Sequence, residues 1–254
     1  MSVNLFKDYK KIWWSTHNTL ETLYGFIKDY KLDVDDYGNI TVSNTHNHAT
    51  VPVFCCHLDT VHDDKPFPSI LKNDILMSIN SNGIGGDDKC GIVACLELLK
   101  EVYCKVIFFR DEETGCRGAK AYDQKSLKDN LYMIEIDRKG NSDLIFNGRY
   151  SADMASKEFI ADVKKIAEPF GFSDTDGLFT DVSQLSDTGI SRMNISCGYY
   201  LPHTDKEYVI LSELQKTISL CKEIAKKLNK QYPHKQKEYK YIDLGDNTPL
   251  MFGS

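Results

Sequence analysis

Seven side chains able to bind a metal or move a proton stand at the ends of apolar runs: His57, Asp59, Asp87, Glu112, Glu113, Asp137 and His203. The densest of these places is the glycine-rich turn Ser81-Asn82-Gly83-Ile84-Gly85-Gly86-Asp87-Asp88-Lys89-Cys90-Gly91, which delivers two adjacent aspartates and then opens a helix. Free amides at a helix start attract negative charge, so a phosphate loop is the first chemistry to test. A dinucleotide fingerprint wants glycine where Asp88 stands, and a Walker loop wants Gly-Lys-Ser/Thr where Asp88 precedes Lys89. Both patterns fail. Paired aspartates in such a turn suit a cation better than a phosphate.

The other candidates follow the same arrangement. Val51–Cys56 is a continuous apolar run, as expected of a strand buried on both faces, and it ends in His57-Leu58-Asp59. A histidine and a carboxylate two positions apart lie on one side of an extended chain. They suit a metal ligand and the partner that fixes its tautomer, or a core histidine hydrogen-bonded to Asp59. Lys105–Phe109 runs into Arg110-Asp111-Glu112-Glu113-Thr114-Gly115. On an extended backbone the two glutamates diverge; at a bend one can coordinate a metal while the other reaches its water. The plainer reading is that the chain has reached solvent. Leu131–Ile136 ends in Asp137, and Arg192–Cys197 leads through Gly198-Tyr199-Tyr200-Leu201-Pro202 to His203.

Other polar clusters carry less. Asp33-x-Asp35 fails as an EF-hand, because Tyr37 holds a ligand position and Asn44 stands where the bidentate glutamate belongs. His46 and His48 read as a surface loop. Asp181 reads as a helix cap.

The elements that must position these residues alternate. Residues 4–30 read as one or two amphipathic helices broken near Ser15-Thr16, and Ile40–Val42 as a short strand. Helices are expected over Gly91–Val102, Arg117–Tyr122, Ala155–Pro169 and residues 211–229, with a further strand at Ser142–Phe146. Strands alternating with helices, with polar chemistry at each strand's carboxyl end, predict an α/β fold. We expect three layers, α/β/α, around a mostly parallel central sheet, with the site off its carboxyl edge. No repeat or linker divides residues 1–254, which read as a single domain. The tail after Gln231 has no assignment.

Composition narrows the class. The formal net charge of −6 argues against a nucleic-acid partner. Eight cysteines form no Cys-x-x-Cys pair, and several sit in apolar runs. They read as reduced, buried thiols of a cytoplasmic protein. No signal peptide and no run of membrane-spanning length is evident, so no membrane partner is expected.

Nitrogen and oxygen ligands without thiolate suit zinc, cobalt or manganese. Five such ligands (His57, Asp87, Glu113, Asp137 and His203) exceed one tetrahedral catalytic site but fit two ions sharing a bridging carboxylate. Three carboxylates and one hydroxide would then balance two divalent ions, which limits the cost of burying the site.

The set His57-x-Asp59-Thr60, Gly86-Asp87-Asp88-Lys89, Asp111-Glu112-Glu113-Thr114-Gly115, Ile136-Asp137 and His203-Thr204 resembles the co-catalytic dinuclear zinc metallopeptidases, and is most similar to the peptidase T (tripeptide aminopeptidase) group. The resemblance runs in family order over residues 33–210. It implies that His57, Asp87 and Asp137 hold one ion, and Asp87, Glu113 and His203 the other. Asp87 would bridge, Asp59 would orient His57, and Glu112 would be the general base that takes the proton of a metal-bridging water to give the attacking hydroxide. It also implies a cis bond after the bridging aspartate. Aspartate at position 137 resembles aminopeptidases, which points to N-terminal residues of short peptides as substrate. Tyr199 or Tyr200 could donate to an oxyanion or simply line the wall.

One departure is the spacing between Asp137 and His203, where peptidase T relatives insert a lid or dimerisation domain. Here a strand, a helix, loops and another strand already occupy the interval, so a bare catalytic domain is expected and the oligomeric state is left open. Two alternatives remain: an amidohydrolase or deacylase of the same fold acting on N-acyl amino acids, and a non-catalytic metal-binding protein.

Overall fold

The computed structural model describes residues 2–15, 19–44, 50–62, 69–79, 82–147, 153–177, 179–235, 239–242 and 250–253. His46, His48 and Ser81 lie outside the described residues. In chain order the elements are α1 (Ser2–Asp8), α2 (Lys10–Trp13), α3 (Leu20–Ile27), β1 (Lys31–Val34), β2 (Ile40–Ser43), β3 (Val53–His57), β4 (Ser69–Lys72) and β5 (Ile75–Ser78). They continue with α4 (Gly86–Glu101), β6 (Lys105–Phe109), α5 (Arg117–Ala121), β7 (Met133–Arg138), β8 (Asp143–Ile145), α6 (Lys157–Ala167) and β9 (Ser173–Asp174). The last are β10 (Arg192–Ser196), β11 (Tyr199–Tyr200), β12 (Tyr208–Ile210), α7 (Leu211–Lys227), β13 (Tyr239–Ile242) and β14 (Leu250–Gly253).

Eight strands form one mixed sheet in the order β1-β2-β6-β3-β7-β10-β8-β9. The central four, β6, β3, β7 and β10, are mutually parallel, whereas β1–β2, β2–β6 and β10–β8 are antiparallel. Parallel strands need covering on both faces, and their side chains alternate accordingly. Phe54, Cys56, Val106, Phe108, Ile134 and Ile136 enter a core shared with α4, α7 and the N-terminal helices. Val53, Cys55, Ile107, Phe109 and Met133 enter a second core with Cys116, Ala119, Val182 and Leu185. Three layers result, the second outer layer built of α5 and short 3₁₀ turns rather than long helices.

Several elements differ from the expectation. Ser2–Asp8, Lys10–Trp13 and Leu20–Ile27 are three short helices instead of one or two, because the chain also turns at Tyr9. Buried Trp13 ties the turn together by donating from Nε1 to Leu5 O at 3.0 Å. The stretch Ile75–Met77 lies in a separate four-stranded antiparallel sheet, β11-β12-β5-β4. That sheet brackets the loop 201–207, which carries His203, and brings it to the start of α4.

All eight cysteines are free and buried. No helix among the described residues is long and apolar enough to cross a membrane.

Candidate active site

The carboxyl ends of β3, β6 and β7 open toward the start of α4 and the 201–207 loop. There the chain gathers His57, Asp87, Glu113, Asp137 and His203. Asp87 sits between the histidines: its Oδ1 lies 2.9 Å from His57 Nε2 and its Oδ2 3.2 Å from His203 Nε2. Asp137 Oδ1 stands 3.8 Å from His57 Nε2, and Glu113 Oε1 3.1 Å from His203 Nε2. Each side of Asp87 thus has one histidine and one further carboxylate.

Local sequence explains how each side chain arrives. Gly85, at φ +64°, precedes α4 in the left-handed region that glycine adopts without strain, and Asp87 and Asp88 depart from helical φ/ψ within its first turn. The Asp87–Asp88 peptide bond is cis, as the resemblance implies. Asp88 turns away from the cluster's centre: its Oδ2 accepts from His57 N at 3.3 Å and its Oδ1 from Gly91 N at 2.8 Å. After β6 the chain bends through Asp111 (φ +58°) and Gly115 (φ +104°), which lets Glu112 and Glu113 converge instead of diverging.

Asp59 has two jobs. Its backbone oxygen lies 3.0 Å and its Oδ1 3.5 Å from His57 Nδ1, so Nδ1 donates to Asp59, and Nε2, protonated as well in the metal-free protein, is aimed at Asp87. Its carboxylate also accepts from Glu112 N at 3.1 Å and from Glu113 N at 3.0 Å, pinning the bend. The second job was not expected from sequence.

Two further residues hold ligands in place and were missed. Asn194, buried in β10, accepts from Asp137 N at 3.0 Å and donates to Asp137 O at 2.7 Å. A lone amide amid apolar neighbours was the available signal. Glu207 accepts from Gly85 N at 2.7 Å, from Asp87 N at 3.0 Å, and pairs with His62 Nε2 at 2.9 Å. It caps α4 from a distant loop, because Gly85 has no side chain to do so. Within the run Asp205-Lys206-Glu207 nothing marks it out.

The tyrosines separate. Tyr199 OH donates to Asp137 Oδ1 at 3.0 Å, whereas Tyr200 OH donates to Glu213 Oε2 at 2.6 Å and its ring stacks on Tyr208. Tyr199 lines the cavity and Tyr200 does not. Thr180, not Asp181, precedes the 3₁₀ turn at 181–184, and Asp181 lies buried with neither oxygen hydrogen-bonded within the protein. Thr180 Oγ1 donates to Glu135, whose carboxyl burial pushes up to about 8.

Electrostatics set the site apart. Burial together with the neighbouring Asp87 pushes Glu113 up to about 7 and also raises Glu112 and Asp137. The hydrogen bond to Asp87, working against partial burial, lifts His203 to about 9. Burial works against the charged form of Asp87, but the hydrogen bonds from His203 and His57 hold its carboxyl low. So many acids packed together favour a cation among them.

A metal fits on the structure's own terms. Glu113 Oε1 is buried without a hydrogen bond although His203 Nε2 is 3.1 Å away, as for two ligands aimed at a common point rather than at each other. His57, Asp87 and Glu113 each bring a ligand atom within 4.8 Å of one another. His57, Asp88 and Asp137 do so too, but the Asp88 oxygens already accept from His57 N and Gly91 N. The surrounding cavity, of about 300 Å³, is also lined by Glu112, Arg138, Lys139, Phe179 and Asn194.

The fold is similar to that of aminopeptidase PepT from Bacillus cereus ATCC 10987, at 16% identity, a TM-score of 0.75, and coverage of 91% of this chain and 99% of that one. It is also similar to a tripeptidase from Staphylococcus aureus (16% identity, TM-score 0.70, 89% and 98% covered). The Pyrococcus horikoshii TET1 peptidase follows at 18% identity and TM-score 0.65, with 89% and 99% covered. No functionally curated protein matches the sequence. The model of Peptidase family M28 matches residues 39–247, which span every residue of the cluster. The chain therefore belongs to peptidase family M28, whose members are metal-dependent peptide hydrolases.

Proposed function

We propose that this protein is a dinuclear zinc aminopeptidase that removes N-terminal residues from short peptides. The observation that carries the reading is the placement of Asp87, whose two oxygens face two different histidines. His57, Asp87 and Asp137 would hold one ion, and Asp87, Glu113 and His203 the other. When bound, such ions lower the pKa of a shared water and polarise the scissile carbonyl. Cobalt or manganese would satisfy the same donors.

The chain's own groups do the rest. Glu112, its carboxyl raised by burial, takes the proton of the attacking water and returns it to the leaving amine. Asp59 holds both His57 and the Glu112–Glu113 bend, so ligand and base share one anchor. Tyr199 and Asn194 fix Asp137 from opposite ends, leaving its carboxylate little freedom. The interval between Asp137 and His203 holds β8, α6, β9, β10 and β11, which supports a catalytic domain without an inserted lid. That similar structures include an aminopeptidase and a tripeptidase supports the substrate class.

A substrate panel tests the reading. Free-amine dipeptides, tripeptides and amino-acid anilides should be cleaved by the zinc-loaded protein, and N-acetylated counterparts should not. Preference for the N-acyl substrates would replace it with an amidohydrolase. No turnover of either, with metal bound, would leave a metal-binding protein.

A further inference from the structure

The candidate ligands and Glu112 make the cavity acidic, yet its wall also includes Arg138 and Lys139. Among the described residues lining it, these are the only permanently charged cations. Both follow Asp137 directly, Arg138 as the last residue of β7 and Lys139 at the start of the turn that leaves it. That turn is rigid. Arg138 O accepts from Cys197 N at 2.9 Å, Lys139 O from Ser196 Oγ at 2.9 Å, and Gly140 N donates to Tyr199 O at 2.9 Å.

The Arg138 guanidinium is anchored by one edge only. Its Nε donates to Asp143 Oδ2 at 3.1 Å, and its terminal nitrogens make no other hydrogen bond among the described residues. A guanidinium oriented in this way keeps a pair of donors suited to a carboxylate. Lys139 is exposed, without an ion-pair partner among the described residues. Two divalent ions and a hydroxide would balance Asp87, Glu113 and Asp137, so Arg138 and Lys139 remain as the cations of the wall, with Asp143 beside Arg138 and Glu112 as the one further acid lining the cavity. They face a cavity whose volume of about 300 Å³ is at the small end for ligand sites.

We infer that Arg138, assisted by Lys139, forms a carboxylate-binding subsite that selects substrates carrying an anionic group close to the scissile bond, in the first place the terminal carboxylate of a di- or tripeptide. The inference rests on the peptidase reading above and adds to it the charge of the preferred substrate. A subsite on a rigid turn favours binding without an ordering cost, so its effect falls mainly on KM.

The test compares kcat/KM of the zinc-loaded protein for a tripeptide with a free carboxylate and for the same tripeptide as its C-terminal amide. A parallel arm compares glutamyl and leucyl anilides, which separates a terminal carboxylate from an acidic side chain. We expect the acid to be preferred about tenfold, mostly through KM, with the preference shrinking as salt is added. Arg138→Met with Lys139→Met should bring the acid-to-amide ratio close to one, and Arg138→Lys should retain part of it. Because the ratio is internal, partial misfolding lowers both substrates together and leaves it unchanged. A ratio near one in the unaltered protein with no glutamyl preference, or a ratio untouched by the double substitution, overturns the subsite and leaves the peptidase reading intact. Failure to cleave any of the substrates removes both.

Discussion

Asn194 grips the Asp137 peptide unit from both sides, accepting its N–H at 3.0 Å and donating to its carbonyl at 2.7 Å. The register of β10 against β7 shifts between Asn194 and Ser196, and the amide side chain takes over the hydrogen bonds that regular pairing would supply. Asp137 is thus held by its backbone from one strand over, while Tyr199 holds its carboxylate. Replacing the amide donor with an acceptor sets oxygen against oxygen. Asn194→Asp should lower stability by about 1–3 kcal/mol in denaturant titration. It should also weaken metal affinity roughly ten- to hundred-fold, as loss of a partner behind a ligand does. Unchanged metal affinity would show that Asn194 serves only the sheet.

Glu207 does for Asp87 what Asn194 does for Asp137. It is almost fully buried and accepts the first free amides of α4. Glu207→Gln keeps the shape but removes the negative charge at the helix start and one of the acceptors. The expected loss is about 1–2 kcal/mol, read as a fall in Tm, with weaker metal binding alongside it.

Glu112→Gln isolates the chemical step. The side chain lies outside the proposed ligand set, so metal content should stay the same while kcat falls roughly 10²- to 10⁴-fold. Steady-state kinetics with metal analysis on the same sample makes the comparison. Retained turnover would move the base elsewhere.

Metal affinity should depend on pH in a defined direction. In the metal-free protein, hydrogen bonding to Asp87 lifts His203 to about 9, and burial lifts Glu113 to about 7. Both must lose their protons to coordinate, so binding releases protons and affinity rises with pH. Below 7 both groups compete with the metal. Between 7 and 9 His203 still competes, and above 9 it no longer does. Competition titration with a chelating dye at several pH values should give a slope of about one to two log units per pH unit in this window.

Much of this was legible because buried parallel strands leave a strong mark. Val51–Cys56 and Lys105–Phe109 read as strands from their unbroken apolar runs, and polar residues at their ends mark where the sheet edge meets the cleft. The single helix face of α7 was readable in the same way. What the sequence hid were contacts made across the chain by residues of unremarkable local type. Glu207 sits in a charged run that reads as solvated surface, and its partner amides are on another element. The small antiparallel sheet was hidden too, since β11 and β12 are only two and three residues long and carry no clear alternation. The early start of α4 also escaped, because a glycine-rich turn suppresses helix propensity up to Gly91.

The central claim is that His57, Asp87, Glu113, Asp137 and His203 enclose two cations that share Asp87. Crystals of the zinc-loaded protein, with data collected across the zinc absorption edge, test it most directly. We predict two anomalous peaks on either side of the Asp87 carboxylate, one beside His57 and Asp137, the other beside Glu113 and His203. A single peak, or peaks away from Asp87, would contradict the account.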